Sequence, residues 1–178
     1  MSAEKQKTMV DKEEMAALIS KLAKEIIGAN KDLKDIVLVG IMNRGVPIAH
    51  RIAQAIEKKE GVHVPVGSID VSLYRDDIRH KGAGIEVKRS DMPFSIDGKT
   101  VVLVDDVIFA GRTIRAALDV VTDYGRASKI ELAALIDRGH RELPVHPDFT
   151  GKKIETEKGE EVLVNVSEID GVDKVIIK

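Results

Sequence analysis

The residues Val101–Thr113, VVLVDDVIFAGRT, place an apolar run directly before two adjacent acids, Asp105 and Asp106. The run predicts a strand, and Gly111 and Thr113 stand where a following helix would begin. Ligands of open α/β sheets bind at the carboxyl ends of the strands, and the free N–H groups at a helix start favour a phosphate dianion. Carboxylates facing that phosphate would repel it, so they are better placed as acceptors for sugar hydroxyls. The stretch therefore predicts a site for a sugar 5′-phosphate.

Other interpretations of this stretch are weaker. Two adjacent acids on their own would be ordinary solvated turn residues after a buried strand, but the whole pattern favours a binding site. Neither G-x-x-x-x-G-K-[ST] nor G-x-G-x-x-G occurs in the chain. The phosphate cradles of P-loop NTPases and of dinucleotide-binding folds are therefore missing.

The composition is that of an ordinary globular chain. Its 178 residues predict a single domain, residues 1–178, and the net charge of −2 excludes a generally basic nucleic-acid coat. The absence of cysteine excludes disulfides, thiolate catalysis and zinc ribbons, and the low aromatic content of 3% argues against a base-stacking surface. No apolar run approaches the roughly 20 residues of a membrane span. The first residues also lack the apolar stretch of a signal peptide, so we expect a cytoplasmic protein.

Helical and strand-like apolar spacings alternate along the chain. Asp11 is placed to cap the first helix, and the second strand region changes phase at Gly67-Ser68, where we expect a bulge or a break. The prediction is an α/β fold with a mostly parallel central sheet flanked by helices and a small C-terminal β addition. Helices are predicted at 12–30, from about 46, and at 112–124, and strands at 36–39, 64–66 with 69–73, 100–104, 130–136, 162–166 and 175–177.

Four separated motifs carry a family resemblance: 39–45 (VGIMNRG), 73–77 (LYRDD), 101–113, and 137–144 (DRGHRELP). They resemble the type I phosphoribosyltransferases, and most closely the pyrimidine operon attenuation regulators that are also uracil phosphoribosyltransferases. The resemblance spans nearly the whole chain and implies the type I phosphoribosyltransferase fold. It implies that uracil and 5-phosphoribosyl 1-diphosphate react to give UMP and diphosphate, with Mg²⁺ carried by the diphosphate substrate rather than held by the protein alone. It also implies UMP-responsive binding of pyrimidine-operon leader RNA and assembly into dimers or larger homo-oligomers.

The resemblance further implies a role for each motif. Asp105 and Asp106 would hold the ribose hydroxyls, and Asn43 and Arg44 would bind the diphosphate, with Asp105, Asp106 and Arg44 as the catalytic residues. Arg138 would lie against the uracil ring. The remaining implied substrate contacts are Val162 at the base and the loop around the 5′-phosphate, which consists of Val107, Ile108, Phe109, Ala110, Gly111, Arg112 and Thr113.

Three site positions depart from the pattern of relatives. Asn43 and Ala110 stand where a Thr is usual, and since a lost neutral hydrogen bond costs about 1 kcal/mol, we expect binding to survive. Phe109 stands where purine enzymes carry an Asp that assists a proton on the purine ring, which disfavours hypoxanthine and guanine. The alternative function is a phosphoribosyltransferase for another base, orotate or a purine, without an RNA-binding role.

Two further segments are assigned through the resemblance. The charged residues of about 74–98 are either a solvated hairpin tip or a flexible flap that closes over the diphosphate and excludes water. Residues of about 137–178 would form a C-terminal hood. The candidate RNA contacts are Lys24, Arg141, Lys152 and Lys153, and whether RNA attenuation is retained stays open because Lys24, His146 and Glu155 depart from the residues of relatives.

Overall fold

A computed structural model of the chain describes residues 7–76 and 87–178. Among those residues, no helix combines the length and the apolar character that a membrane span requires. The strands are β1 (Lys7–Val10), β2 (Ile36–Ile41), β3 (Val66–Ile69), β4 (Thr100–Ile108), β5 (Lys129–Asp137), β6 (Phe149–Lys153), β7 (Val162–Asn165) and β8 (Lys174–Ile177). The α-helices are α1 (Lys12–Ala29), α2 (Gly45–Glu60), α3 (Arg112–Asp123) and α4 (Ser167–Asp170), and a 3-10 turn covers Leu33–Asp35.

The main sheet has five parallel strands in the order β3-β2-β4-β5-β6. All six residues of β2 are buried, which explains why its sequence is continuously apolar rather than alternating. Side chains of Ile36 and Leu38 pack with α1 and α2 on one face, whereas those of Val37 and Val39 pack with α3 on the other. The predicted parallel sheet with helices on both faces is confirmed.

The helices begin and end for identifiable local reasons. Asp11 caps α1, because its Oδ1 accepts a hydrogen bond from the Glu14 N–H at 2.8 Å. The apolar stripe of α1 is buried as predicted, and the helix ends at Ala29. Gly61 ends α2 in the left-handed conformation at φ 67°.

A small antiparallel sheet, β1-β8-β7, stands apart from the main sheet. Its construction differs from the hood expected at 137–178. The N-terminal β1 supplies one edge, and β6, within the expected hood, is the edge strand of the main sheet. The sequence FTGKK has no clear strand pattern, and Gly151 lets it approach β5, since a Cβ there would collide with the Leu135 carbonyl oxygen.

The strand predictions need two corrections. The predicted bulge or break at Gly67-Ser68 is wrong, because β3 pairs continuously with β2 from Val66 to Ile69. The strand predicted at 69–73 ends at Ile69, since the Asp70 carboxylate accepts a hydrogen bond from the Ser72 N–H at 2.9 Å and turns the chain. The predicted flap lies partly outside the described residues, at 77–86; on its return side, Asp91 forms an isolated bridge with Ser68.

Candidate active site

Two adjacent acids, one buried and one half-buried, lie near the carboxyl end of the central strand β4. Asp105 is only 6% exposed, and its Oδ1 accepts the Asp106 N–H at 2.9 Å, while the Asp106 carboxylate accepts the Val107 N–H at 2.8 Å. Burial raises the pKa of Asp105 well above its usual range, and the neighbouring charge of Asp106 adds to the effect. Burial also raises the pKa of Asp106, against the lowering influence of its hydrogen bonds and of Arg44. The pair therefore concentrates poorly solvated negative charge, which a cation or hydroxyl donors would stabilise.

A glycine lets the loop between β2 and α2 pack closely beside these acids. A Cβ on Gly45 would collide with the Val104 carbonyl oxygen, so only glycine lets α2 start this close to β4. The Met42–Asn43 peptide bond in this loop is cis. Arg44 comes near enough that the charge of Asp106 contributes to the raised pKa of its guanidinium, after the larger effect of a hydrogen bond to Asp170.

A cavity of about 360 Å³ opens beside the end of β4 and the start of α3. Gly111 precedes α3 at φ 94° and has no side chain to cap the first turn, so the helix presents its N-terminal amides at the cavity. The structure brings together most of the predicted contacts here. The lining residues are Arg75, Val107, Ile108, Phe109, Ala110, Gly111, Arg112, Thr113, Ile114, Arg138, Glu142, Glu161 and Val162.

At one end of this cavity, a cationic side chain stacks on an aromatic ring. The Arg138 guanidinium carbon lies 4.2 Å from the centroid of the Phe109 ring. Arg138 is only 8% exposed and donates to the Glu160 carbonyl oxygen at 2.6 Å, and burial lowers the pKa of its guanidinium. His140 meets the Phe109 ring edge-on at 6.1 Å and hydrogen-bonds the Thr156 carbonyl oxygen. The supporting role of Phe109 was missed from sequence, because the stack depends on two loops that are distant along the chain.

Arg44 has a partner that sequence analysis did not identify. Its Nη2 lies 2.7 Å from Asp170 Oδ1, and its Nε lies 3.1 Å from Asp170 Oδ2. Asn43 is engaged as well, since its Oδ1 accepts a hydrogen bond from Lys88 Nζ at 2.7 Å. No local signal relates these pairs, because 126 residues separate Arg44 from Asp170 and 45 separate Asn43 from Lys88.

Arg112 connects the cavity to the base of the predicted flap. Its guanidinium pairs with Asp76 at 2.7 Å and with Glu142 at 2.8 Å. The other carboxylate oxygen of Asp76 is buried and has no hydrogen-bond partner among the described residues. Arg112 thus holds together the residues before the flap and the loop after β5.

The four candidate RNA contacts do not form one free basic surface. Arg141 is turned inward and donates to the Asp137 carboxylate at 2.8 Å and to the Val145 and Phe109 carbonyl oxygens. Lys152 pairs with Glu14 at 2.6 Å. Lys24 and Lys153 are exposed. The structure therefore leaves only these last two with side chains presented to solvent.

Comparison with known proteins agrees with this architecture. The phosphoribosyl transferase domain model matches residues 5–168. The bifunctional protein PyrR of Chloroflexus aurantiacus is 52% identical, over 97% of this chain and 94% of its own, and pyrR of Enterococcus faecalis is 50% identical, over 96% of each chain.

Solved structures support the fold. A hypoxanthine phosphoribosyltransferase of Trypanosoma cruzi superposes with a TM-score of 0.75 at 19% identity, covering 99% of this chain and 93% of that one. At that identity the likeness bears on the fold alone. The domain match and the two curated relatives together show that the chain belongs to the phosphoribosyl transferase domain family and, within it, to the bifunctional PyrR proteins.

Proposed function

We propose that this protein is a uracil phosphoribosyltransferase, converting uracil and 5-phosphoribosyl 1-diphosphate to UMP and diphosphate, and that it also regulates pyrimidine genes by UMP-responsive RNA binding. The observation that carries the enzymatic proposal is the pair of the buried Asp105 and the half-buried Asp106, one short turn before a cavity at the start of α3. The bifunctional PyrR names of relatives at about half identity support both activities.

The ribose 5-phosphate would span the end of β4. Its phosphate would accept hydrogen bonds from the amides at the start of α3, where Gly111 leaves room for close approach, and from the Thr113 hydroxyl. The ribose hydroxyls would donate hydrogen bonds to Asp105 and Asp106. An ionised carboxylate carries no proton, so it accepts hydrogen bonds and does not donate them. This division places the negative acids toward the sugar and the positive helix end toward the phosphate.

The diphosphate would lie toward Asn43 and Arg44. The two acids fit a divalent cation, because Mg²⁺ usually binds one or two carboxylates together with phosphate oxygens. When bound with the substrate, Mg²⁺ supplies charge neutralisation on the diphosphate. Arg44 would add a fixed positive charge on the protein side.

The chemistry needs positioning and electrostatic stabilisation rather than a protein nucleophile. The bond from ribose C1 to the diphosphate oxygen breaks, the bond from C1 to uracil N1 forms, and the proton on N1 would pass to the departing diphosphate. Positive charge develops on the ribose as the leaving group departs, and the ionised acids under the ring would stabilise it. The ordered surroundings of Asp105 and Asp106 keep this charge in place without reorganisation during the reaction.

The end of the cavity at Phe109 suits a pyrimidine. Arg138, stacked on that ring and buried, presents donors at a fixed position, and Val162 closes the hydrophobic side. Phe109 has no proton to exchange with a purine ring, which favours uracil over hypoxanthine or guanine. A panel of bases incubated with 5-phosphoribosyl 1-diphosphate, followed by diphosphate release, should give turnover with uracil and little with orotate or purines.

The double substitution Asp105→Asn plus Asp106→Asn tests the site. We expect it to abolish UMP formation with an unchanged circular dichroism spectrum, because each side chain keeps its shape but loses its charge and one of its two acceptor oxygens. Undiminished activity in the folded double variant would refute the assignment.

The regulatory activity has a separate test. A gel shift with leader RNA of the cell's own pyrimidine genes should show binding that strengthens with UMP, and the lack of any UMP-dependent shift at modest salt would leave only the enzyme. Light scattering on the same sample would measure the homo-oligomer, dimer or larger, that we propose from the resemblance.

A further inference from the structure

The short helix α4 connects β7 and β8, which are the two strands of the small sheet from the C-terminal end of the chain. Asp170 is the last residue of α4, and Gly171 turns the chain away at φ 73°. The Asp170 side chain is only 14% exposed, and its Oδ2 accepts the Val166 N–H at 2.9 Å. The position of this carboxylate is therefore fixed by the backbone of the small sheet and not by the loop it contacts.

Asp170 holds Arg44 along one edge of the guanidinium. Nε and Nη2 both donate to the carboxylate, at 3.1 and 2.7 Å, in a two-point contact that fixes the plane of the group. Among the described residues, Arg44 Nη1 has no hydrogen-bond partner. The edge formed by Nη1 and the second N–H of Nη2 is left for an anion, and a guanidinium can bind a phosphate through such an edge.

The pair stays charged at neutral pH. The hydrogen bond to Arg44 lowers the pKa of Asp170 despite partial burial, and the same bond raises the pKa of Arg44. Two ionised partners in a fixed geometry restrict the side chain, which would otherwise lose rotamer entropy when it binds a ligand. The interaction thus favours one orientation of the cation before the substrate arrives.

We propose that Asp170 is a positioning residue that orients Arg44 toward the diphosphate of 5-phosphoribosyl 1-diphosphate, so that the small sheet helps to form the diphosphate site. This inference rests on the proposed function. The strand that leads into α4 also carries Val162, which lines the cavity at the start of α3. The continuous segment of β7 and α4 would therefore contribute to both the base side and the diphosphate side of the reaction.

Asp170→Asn tests this role, with Asp173→Asn as the matched control. Both acids lie on the small sheet and accept a backbone N–H, but Asp173 pairs with Arg51 instead of Arg44. We expect Asp170→Asn to raise the KM for 5-phosphoribosyl 1-diphosphate about tenfold, as for loss of one charge-assisted hydrogen bond. The KM for uracil should stay within about twofold, and Asp173→Asn should leave both KM values within the same limit.

A double-mutant cycle separates positioning from general destabilisation. In an Arg44→Ala background, Asp170→Asn should have no further effect on the KM for 5-phosphoribosyl 1-diphosphate, because the group it orients is gone. An undiminished effect in that background, an equal effect of Asp173→Asn, or no effect of Asp170→Asn in the wild type would overturn the proposal.

Binding without turnover distinguishes this proposal from the enzymatic one. Calorimetry with magnesium diphosphate should show about tenfold weaker binding to the Asp170→Asn variant than to the wild type. A wild type that makes no nucleotide from any base would refute the proposed function, and the calorimetric difference would still decide whether Asp170 orients Arg44. Equal diphosphate affinities of the two proteins would refute the positioning role.

Discussion

At the scale of single residues, the site is built at a cost to stability. Asp105 is a buried carboxylate on the central strand, next to a second acid, and these two effects outweigh the lowering influence of the Asp106 N–H and of the charge of Arg75 on its pKa. Burial disfavours the charged form of this carboxylate relative to the protonated form, and its pKa is therefore raised. A charged acid in this position is explained by ligand binding and not by folding.

Asp105→Asn should therefore stabilise the folded protein at neutral pH while it removes activity. Between the ordinary carboxyl pKa and the raised pKa of Asp105, the unfolded chain loses this proton more readily than the folded chain. The free energy of unfolding therefore falls as the pH rises through this range. Asparagine keeps an oxygen that can accept the Asp106 N–H and carries no such cost. We expect a gain on the order of 1 kcal/mol at pH 8 in urea unfolding.

The pH dependence supplies the check. The advantage of Asp105→Asn should shrink as pH is lowered toward the ordinary carboxyl pKa, where Asp105 is protonated in both states. The exposed Asp119→Asn is the control, since Asp119 only pairs with Arg115 one helical turn away. An Asp105→Asn variant less stable than wild type at pH 8 would contradict the cost assigned to this charge.

At the scale of helices and strands, prediction from sequence succeeded where a pattern is local. The buried run of β2, the stripe of α1 and its Asp11 cap were all predictable, because each depends on neighbours along the chain. β4 extends to Ile108, beyond the predicted end at Val104, because pairing with β5 carries the ladder past the acids. Tertiary pairing thus overrode the polar residues that indicated the strand's end.

Elements defined by distant partners were not predictable in this way. β1 exists because it pairs with β8, at the opposite end of the chain, and β6 because it lies along β5. At the site, the loop 107–113 could be assigned from its motif, whereas the Arg44–Asp170 pair and the Arg138–Phe109 stack depend on the finished fold. Residue types alone do not indicate which of many charges will be neighbours.

The strand β6 provides a matched pair of lysines for testing the RNA surface. Lys152 is tied to Glu14 and to the Met9 carbonyl oxygen, whereas Lys153 is exposed. Lys153→Ala should weaken RNA binding and lower the slope of log affinity against log salt by about one, because one phosphate contact is lost. Lys152→Ala should lower the free energy of unfolding by about 1 kcal/mol and leave the salt slope unchanged.

Filter binding at several salt concentrations and urea unfolding measure the two effects separately. If Lys152→Ala reduced the salt slope and Lys153→Ala did not, the exposed lysine would not be the RNA contact and the surface would have to be sought elsewhere.

At the scale of the whole molecule, the small sheet packs its apolar residues into the core that it shares with α1 and α2, and polar contacts around α4 add to this attachment. Arg51 of α2 reaches three residues around α4: it donates to Glu168 at 2.8 Å, to Ser167 at 2.9 Å and to Asp173 at 2.8 Å. Arg51 is only 19% exposed and Asp173 only 11%, so this contact is better shielded from water than an ordinary surface pair. The contact links α4 and the turn before β8 to α2.

Arg51→Ala should consequently loosen the small sheet. Breaking a half-buried network should lower the free energy of unfolding by about 2 kcal/mol, intermediate between exposed and buried pairs, and the Tm by about 4–8 °C. Amide exchange in β7 and β8 should accelerate more than in β2, because the main sheet does not depend on this contact. Arg115→Ala, which removes an exposed pair on α3, should change stability by less than about 0.5 kcal/mol.

The same network predicts a pH dependence with a definite sign. The hydrogen bond from Arg51 lowers the pKa of Glu168. Burial would raise the pKa of Asp173, but the hydrogen bonds that its carboxylate accepts from Arg51 and Ser167 lower that pKa overall. Acids with lowered pKa stabilise the fold above their ordinary pKa, and this stabilisation is lost as pH falls through the lowered values. The stability difference between wild type and Arg51→Ala should therefore be full near pH 7 and shrink as the acids are protonated. A difference that stayed constant on acidification would show that Arg51 stabilises the small sheet by packing and not through its acidic partners.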